Sequence, residues 1–215
     1  MPNYDRVAPF YDLLASLVFG RKLTQAESHF YAQVKDPVNI LVFGGGTGKC
    51  LKPLQLHYPK ATIHFLEAST KMIAIASGRT TPNRKSVEFI HGNEQLLVNQ
   101  PQQYDLLVTS FVLDVFSESR LVEVMDILYK VLRTGGYWIQ TDFYVYQSNP
   151  WWQKAMVRAM YWFFRITANQ HNQQLADFDQ QFKERLLELV SQKMFYFNMV
   201  KTVLYHKLQE TDPSH

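Results

Sequence analysis

The sequence predicts an α/β domain built on a doubly wound, largely parallel sheet. Between Asn39 and Phe143, short apolar runs alternate with segments of helical period, the pattern of consecutive βαβ units. A glycine-rich stretch, "NILVFGGGTGKCLKPL" (Asn39 to Leu54), joins the first run to the first helix. Small and polar residues gather where each run ends, in "GGGTG", "EAS", "HGNE", "TSF" and "DFY". Right-handed crossovers place all of these ends on one edge of the sheet, where such folds bind ligands.

Each element has its own warrant. "NILVF" is short, apolar and stopped by glycine, as a buried strand should be. "GTGKCLKPLQLHY" reads as the helix after it, kinked or delayed by Pro53. "ATIHFLEAS" is a second strand, and "TKMIAIASGR" a helix with Met72, Ile73 and Ala76 on one side. "VEFIHGN" is a third strand, "YDLLVTSFVLDVF" a fourth, "SRLVEVMDILYKVL" a helix and "GGYWIQTDF" a fifth strand. "NPWWQKAMVRAMYWFFRIT" opens a further helix near Pro150, with Lys154, Arg158, Tyr161 and Arg165 in a narrow polar stripe. "FDQQFKERLLEL" is read as another helix. "SQKMFYF" and "MVKTVLYHKL" then form a closing hairpin at the sheet edge, with Asn198 as its turn residue.

Composition narrows the function. Apolar residues make up 47% of the 215 and charged residues 19%, so the chain buries a substantial core. The formal charge is +3 with no run of Lys or Arg, which argues against a nucleic-acid partner. The single cysteine, Cys50, excludes an intrachain disulfide and a cysteine-based zinc cluster, and no metal site is expected. "MPNYDRVAPFYDLL" carries Asp5 and Asp12 where a signal peptide needs basic residues. Trp151 to Ile166 is too short and too charged to span a bilayer. A cytoplasmic protein without an integral membrane segment is therefore expected.

The glycines select among nucleotide-type ligands. A Walker A loop fails: Phe43 stands at its first glycine and Cys50 at its magnesium-binding hydroxyl. A dinucleotide fingerprint fails at its third glycine, which is Lys49. The pattern present is G-x-G-x-G, from Gly44, Gly46 and Gly48, and any tight turn can recruit glycine. Glu67 ends the second strand about twenty residues on, where an acid binds ribose hydroxyls. Asn93 and Glu94 end the third strand, either to read an adenine edge or as a solvated turn.

Taken in order, these segments resemble the class I S-adenosylmethionine-dependent methyltransferases. "YDRVAPFYD" is similar to the amino-terminal segment of the quinone-biosynthesis branch of that family. "ILVFGGGTGKCL", "LEASTKMIAIASGR", "IHGNEQL" and "YDLLVTSFVLDVF" resemble its first four motifs, and "LYKVLRTGGYWIQTDF" its Gly-Gly turn into strand five. The resemblance runs from about Tyr4 to Lys207. It implies a Rossmann-like sheet of seven strands, mostly parallel with the last antiparallel, and helices on both faces. It implies one domain over 1–215: a helical cover (1–36), a cofactor core (37–143), a helical substrate-side insertion (144–190) and closing strands (191–208).

The cofactor implied is S-adenosylmethionine. Gly44, Gly46 and Gly48, with Gly45 and Thr47 between them, would let the backbone approach its methionine part. Glu67 would bind the ribose, Ala68 and Met72 would flank the adenine, and Asn93 with Glu94 would face its edge. Ser110 and Phe111 would touch the methionine side, and Tyr11 would close over the cofactor carboxylate or simply pack. One departure stands out: Val42 occupies the position of an acid that normally helps place the cofactor's charged end. That departure leaves a non-catalytic, cofactor-binding member of the fold as an alternative, ahead of a nucleotide-dependent oxidoreductase.

Methyl transfer from a sulfonium is a direct displacement, so alignment supplies much of the acceleration. A base is required only where the acceptor must lose a proton. Asp114 and Asp142 lie at the right edge for that, but each also suits helix capping or cofactor holding, so no catalytic residue is assigned. The expected acceptor is a small, largely apolar molecule, and a homodimer is compatible with the chain. Trp151, Trp152 and the aromatic residues after them either pack as a buried helix or line an apolar acceptor pocket.

Overall fold

The computed structural model describes residues 22–81, 86–144, 150–155 and 178–209. Seven strands form one sheet: β1 (Asn39–Phe43), β2 (Thr62–Glu67), β3 (Val87–His91), β4 (Tyr104–Ser110), β5 (Leu132–Phe143), β6 (Leu187–Phe195) and β7 (Val200–Lys207). Their order is β3-β2-β1-β4-β5-β7-β6. The five neighbours from β3 to β5 run parallel, whereas β7 runs antiparallel to both β5 and β6. Five helices accompany them among the described residues: α1 (Lys22–Glu27), α2 (Leu51–His57), α3 (Thr70–Ser77), α4 (Glu118–Val131) and α5 (Phe178–Lys183). Residues 151–155 add a further helical turn.

Strand alternation divides the core in two. Leu41, Phe43, Leu66, Leu107 and Trp138 pack with Leu121, Val124, Met125 and Leu128 of α4 and Phe182 of α5. Ile40, Val42, Ile63, Phe65, Val108 and Ile139 pack on the opposite face with Leu51 and Leu54 of α2 and Ala76 of α3. Helices therefore cover both faces, as the doubly wound pattern requires. Trp138 is fully buried, and its indole N–H donates to Thr109 Oγ1 at 2.9 Å, so its one polar atom is satisfied.

Several boundaries differ from the sequence reading. The first helix starts only at Leu51, because Gly44, Gly46 and Gly48 all take left-handed backbone angles that no α-helix contains. Pro53 falls in its first turn, where a missing amide costs nothing. The Gly135–Gly136 turn lies inside β5: the register with β4 jumps from Tyr104↔Leu132 to Leu106↔Tyr137, with residues 133–136 bulged between. The helix expected through Leu189 ends at Lys183, and the chain is already paired as β6 from Leu187. Sheet pairing wins there because β7 offers a whole edge of backbone partners and Leu187 enters the core facing α4. The closing strands thus start at 187 rather than 191, and β7 lies inside the sheet while β6 forms the edge. The turn between them does hold Asn198, at φ 63, after Tyr196 and Phe197 at φ 45 and 54. These three left-handed residues make a tight but strained reversal.

Lys207 closes the other end of α4. Its ammonium donates to the carbonyls of Tyr129 and Leu132, both at 2.8 Å, and sits 3.9 Å from the Tyr129 ring centroid. A cation thereby satisfies carbonyls that the last helical turn leaves without intrahelical partners.

Candidate cofactor site

Strand order reverses between β1 and β4, so the crevice lies between the loops that follow those two strands. The loops are in close contact: a Cβ added at Gly44 would meet Val112 Cγ2 at 2.2 Å. The β1 loop is tightly seated on its other side too, since a Cβ at Gly45 would strike Phe65 and one at Gly48 would strike Ala76. Gly46 differs, because a Cβ there would meet nothing within 4 Å. Its backbone faces open space at φ 55, a surface to which a ligand can come close.

Glu67 ties this loop to the end of β2. One carboxyl oxygen accepts from the Gly46 amide and the other from the Ser69 amide, each at 2.9 Å. Glu67 is only 7% exposed, so its orientation is set by the protein before any ligand arrives. Ser69 then caps α3 by accepting from the Met72 amide at 3.2 Å, which holds Met72 buried at the helix start. Ala68 is exposed beside it, and its carbonyl lies 3.1 Å from His91 Nε2. That bond fixes the imidazole tautomer with the proton on Nε2 and ties β3 to the β2 loop.

The remaining expected residues separate. Asn93 Oδ1 accepts from the Gln95 amide at 3.1 Å and caps the short turn 94–97. A carbonyl oxygen keeps a second lone pair after one such bond. Glu94 is buried and ion-paired with Arg120 of α4, which also binds Glu123, so its carboxylate holds β3's loop to α4. Ser110 ends β4 with its hydroxyl buried and without a hydrogen-bond partner, and Phe111 follows at φ 53. The Phe111 amide donates to Thr141 and its ring lies 4.8 Å from Phe143, so the left-handed residue is braced by β5. Tyr11 lies outside the described residues.

One residue that composition and spacing did not single out stands beside the loop. Arg79, just after α3, donates to Thr47 Oγ1 at 3.0 Å. Only the turn of α3 about its axis brings Arg79 to the loop, and that turn is set by packing. Val42, at the position expected for an acid, is 2% exposed inside the apolar cluster beneath α2.

Asp142 caps no helix. It is 1% exposed at the end of β5, where Oδ1 accepts from the Phe143 amide at 2.9 Å and Oδ2 has no hydrogen-bond partner. Burial, and then the Asp114 carboxylate, push its carboxyl well above the ordinary aspartate value of 3.8, against the opposing pull of the Phe143 and Asp114 amides. Lys201, directly opposite in register, is committed to Asp179 with both distances at 2.8 Å. The folded protein therefore holds a proton on Asp142 that the unfolded chain releases, and stability falls as pH rises from near 3.8 toward the raised value. Asp142→Asn removes this slope, by about 1.4 kcal/mol for each unit of the shift. Melting temperatures of both proteins between pH 5 and 8.5 check it; parallel curves would refute the buried-proton account.

Trp151 and Trp152 neither enter the core nor bury as a helix face: they are 80% and 41% exposed. Trp152 meets the Phe197 ring edge-on at 5.8 Å, and Gln153 Nε2 donates to the Phe197 carbonyl, so this turn packs on the β6–β7 hairpin. The aromatic residues that follow, from Met156, lie outside the described residues. Among the described residues no three His, Cys, Asp or Glu side chains converge as a metal site, and no helix is long and apolar enough to cross a membrane.

Comparison with known proteins agrees with this geometry. Residues 40–136 match the family model described as a methyltransferase domain. A malonyl-[acyl-carrier protein] O-methyltransferase of Priestia megaterium is 30% identical over 138 residues, 62% of this chain and 47% of the relative. A demethylmenaquinone methyltransferase of Thermotoga maritima is 31% identical over 125 residues, 57% of this chain and 52% of the relative. The chain thus spans about half the length of these curated relatives. Among solved structures, the plantazolicin methyltransferase BpumL, determined in complex with SAH, superposes with a TM-score of 0.67 over 94% of this chain and 89% of that one. At 16% identity that likeness speaks for the fold alone. Over its β1–β5 core the chain thus matches a methyltransferase domain and is similar to S-adenosylmethionine-dependent methyltransferases.

Proposed function

We propose that this protein transfers the methyl group of S-adenosylmethionine to a small, largely apolar acceptor. The observation that carries the cofactor assignment is the bond between Glu67 and the Gly46 amide. It sets an acidic side chain beside a glycine backbone that faces open space, at the strand-order reversal. Such a pairing suits a nucleoside whose ribose hydroxyls donate to the acid while its chain passes over the glycine. Met72 and Ala68 flank the adenine in this reading, Asn93 accepts from its amino group, and Ser110 and Phe111 meet the methionine side.

S-adenosylmethionine, when bound, supplies an electrophilic methyl group on a sulfonium. The chain's part is to orient the two reactants and exclude water, since displacement at the methyl carbon needs alignment before anything else. An acceptor that loses a proton would pass it to Asp114, partly exposed on the loop after β4, or to solvent. The small apolar acceptor rests on the modest charge and the absence of a long basic run, which a nucleic-acid substrate would need. One of the relatives is named for demethylmenaquinone. A cytoplasmic location and a small-molecule partner belong to the same proposal.

Calorimetry with S-adenosylhomocysteine tests the cofactor, and incubation with methyl-labelled cofactor and a cell extract tests the acceptor. A labelled product soluble in organic solvent is expected. Label in RNA or protein would overturn the acceptor class. Binding without any label transfer would favour the non-catalytic alternative, and a preference for NADH would overturn the cofactor.

A further inference from the structure

Three large aromatic side chains face solvent at the ligand-binding edge of the sheet. Trp151, Trp152 and Phe197 are 80%, 41% and 68% exposed. The β6–β7 reversal lies at this edge because β7 runs antiparallel to β5. Val200 pairs with Phe143, and the Tyr144 amide donates to the Met199 carbonyl at 2.9 Å. The turn at 151–155 docks onto the same reversal: Trp152 meets Phe197 edge-on, and buried Gln153 donates to the Phe197 carbonyl at 3.2 Å. Backbone bonds and a buried amide side chain thus hold the patch in place.

Packing does not explain these rings. Tyr196, Phe197 and Asn198 all take left-handed angles, which glycine or asparagine adopts with less strain. A phenylalanine nonetheless stands at φ 54 with most of its surface outside the core. Backbone strain of this kind gathers where a side chain is presented for use. An acceptor pocket encloses its walls, whereas Trp151 and Phe197 remain mostly uncovered. Exposed apolar patches of this sort mark surfaces that dock on something larger.

The chemistry of the rim selects a lipid surface. Residues 150–155 and 191–200 contain Lys154 and Lys193 but no Asp or Glu. Lys193 is exposed, and its ammonium lies 5.6 Å from the centroid of Phe195, next to the reversal. Beyond it, on β7, Lys201 and Asp179 cancel each other as an ion pair. Tryptophan and phenylalanine rings settle at the boundary between head groups and acyl chains, and lysines beside them meet anionic head groups. The aromatic contacts also lead inward. Phe197 lies 5.4 Å from Tyr196, Tyr196 packs on the cluster around Phe143, and Phe143 meets Phe111. We infer that the rim formed by Trp151, Trp152 and Phe197 docks on an anionic lipid bilayer, from which the acceptor reaches the site. The second half rests on the apolar-acceptor reading above and deepens it by naming where the acceptor is dissolved.

Sedimentation of the full chain with vesicles tests the docking, using phosphatidylcholine alone or mixed with an equal part of phosphatidylglycerol. Binding to the mixed vesicles, weakened by salt, is expected. Trp151→Gln combined with Phe197→Asn should weaken it roughly 10- to 100-fold through the lost apolar area. Asparagine accepts the left-handed angle, so this variant should melt no lower than the unmodified protein. Lys193→Glu, at an exposed strand position, should weaken binding to mixed vesicles roughly 10-fold and leave neutral vesicles unaffected. Protein that stays in the supernatant with both vesicle types, or binding that ignores both variants, would overturn the docking. A dimer dispersed by the aromatic variant would overturn it too, and assign the patch to a second copy of the chain. Methyl label in an organic-soluble product, made by protein that binds no vesicles, would sink this inference and leave the acceptor reading intact. Label in RNA or protein, made by vesicle-bound protein, would do the reverse.

Discussion

Glu67→Ala is expected to lose both stability and cofactor affinity, by about 2–4 kcal/mol for the first and about 1–3 kcal/mol for the second. The stability loss follows from geometry already present without ligand. Two amides, of Gly46 and Ser69, converge on this one carboxyl group, and the Ser69 bond is buried. Alanine removes the acceptor from both donors, and the buried Ser69 amide cannot turn freely to water in its place. The Gly46 end of the loop then loses this tie to β2, and the affinity loss follows from the missing ribose acceptor. Glu67→Gln keeps one acceptor oxygen but turns an NH2 group toward the other amide, so it should fall between the two. Thermal unfolding together with S-adenosylhomocysteine calorimetry measures both quantities. A variant that melts normally but does not bind would assign Glu67 to the ligand alone.

Glycine substitutions in the same loop should divide in a way that identifies the ligand-facing position. Gly44→Ala places a Cβ 2.2 Å from Val112 Cγ2 on a backbone at φ 63. Left-handed strain of about 1–2 kcal/mol and overpacking of about 1–3 kcal/mol then act together against the fold. Their site of action is the contact between the β1 and β4 loops, so the crevice itself must shift. Gly46→Ala carries the same kind of strain at φ 55, but its methyl group meets nothing within 4 Å. It should therefore cost the fold only about 1–2 kcal/mol while obstructing the approach of the cofactor. Melting curves should rank Gly44→Ala below Gly46→Ala, and calorimetry should show affinity lost in Gly46→Ala despite its intact fold. Normal affinity in Gly46→Ala would place the cofactor elsewhere on the loop.

Local signals carried the parallel core. Runs such as "NILVF" and "YDLLV" are too apolar for anything but a strand buried on both faces, and β1 and β4 lie at the centre of the sheet. The three left-handed glycines were legible because few residues besides glycine accept those angles without strain, so backbone conformation is written directly into residue type. Glu67 was legible for a related reason: strand length and crossover geometry fix how far the acid lies from the loop it must meet. What failed locally was any element whose form depends on a distant partner. "RLLELV" has helical residues, yet it is β6 or its approach, because β7 supplies backbone bonds that local propensity cannot outweigh.

The charged surroundings of the loop were invisible in the same way. Glu94 looks like a ligand-facing turn residue until α4 brings Arg120 to it across 26 positions of sequence. Arg79 looks like an ordinary surface charge until helix packing turns it toward Thr47. Asp142 reads as a strand-end acid, and only enclosure beside Asp114 makes its proton hard to remove. Backbone conformation and hydrophobic period are properties of neighbours in the chain, so the sequence states them openly. Charge pairing and burial are properties of neighbours in space, and for this protein they arise only when the sheet and its helices close around the loop.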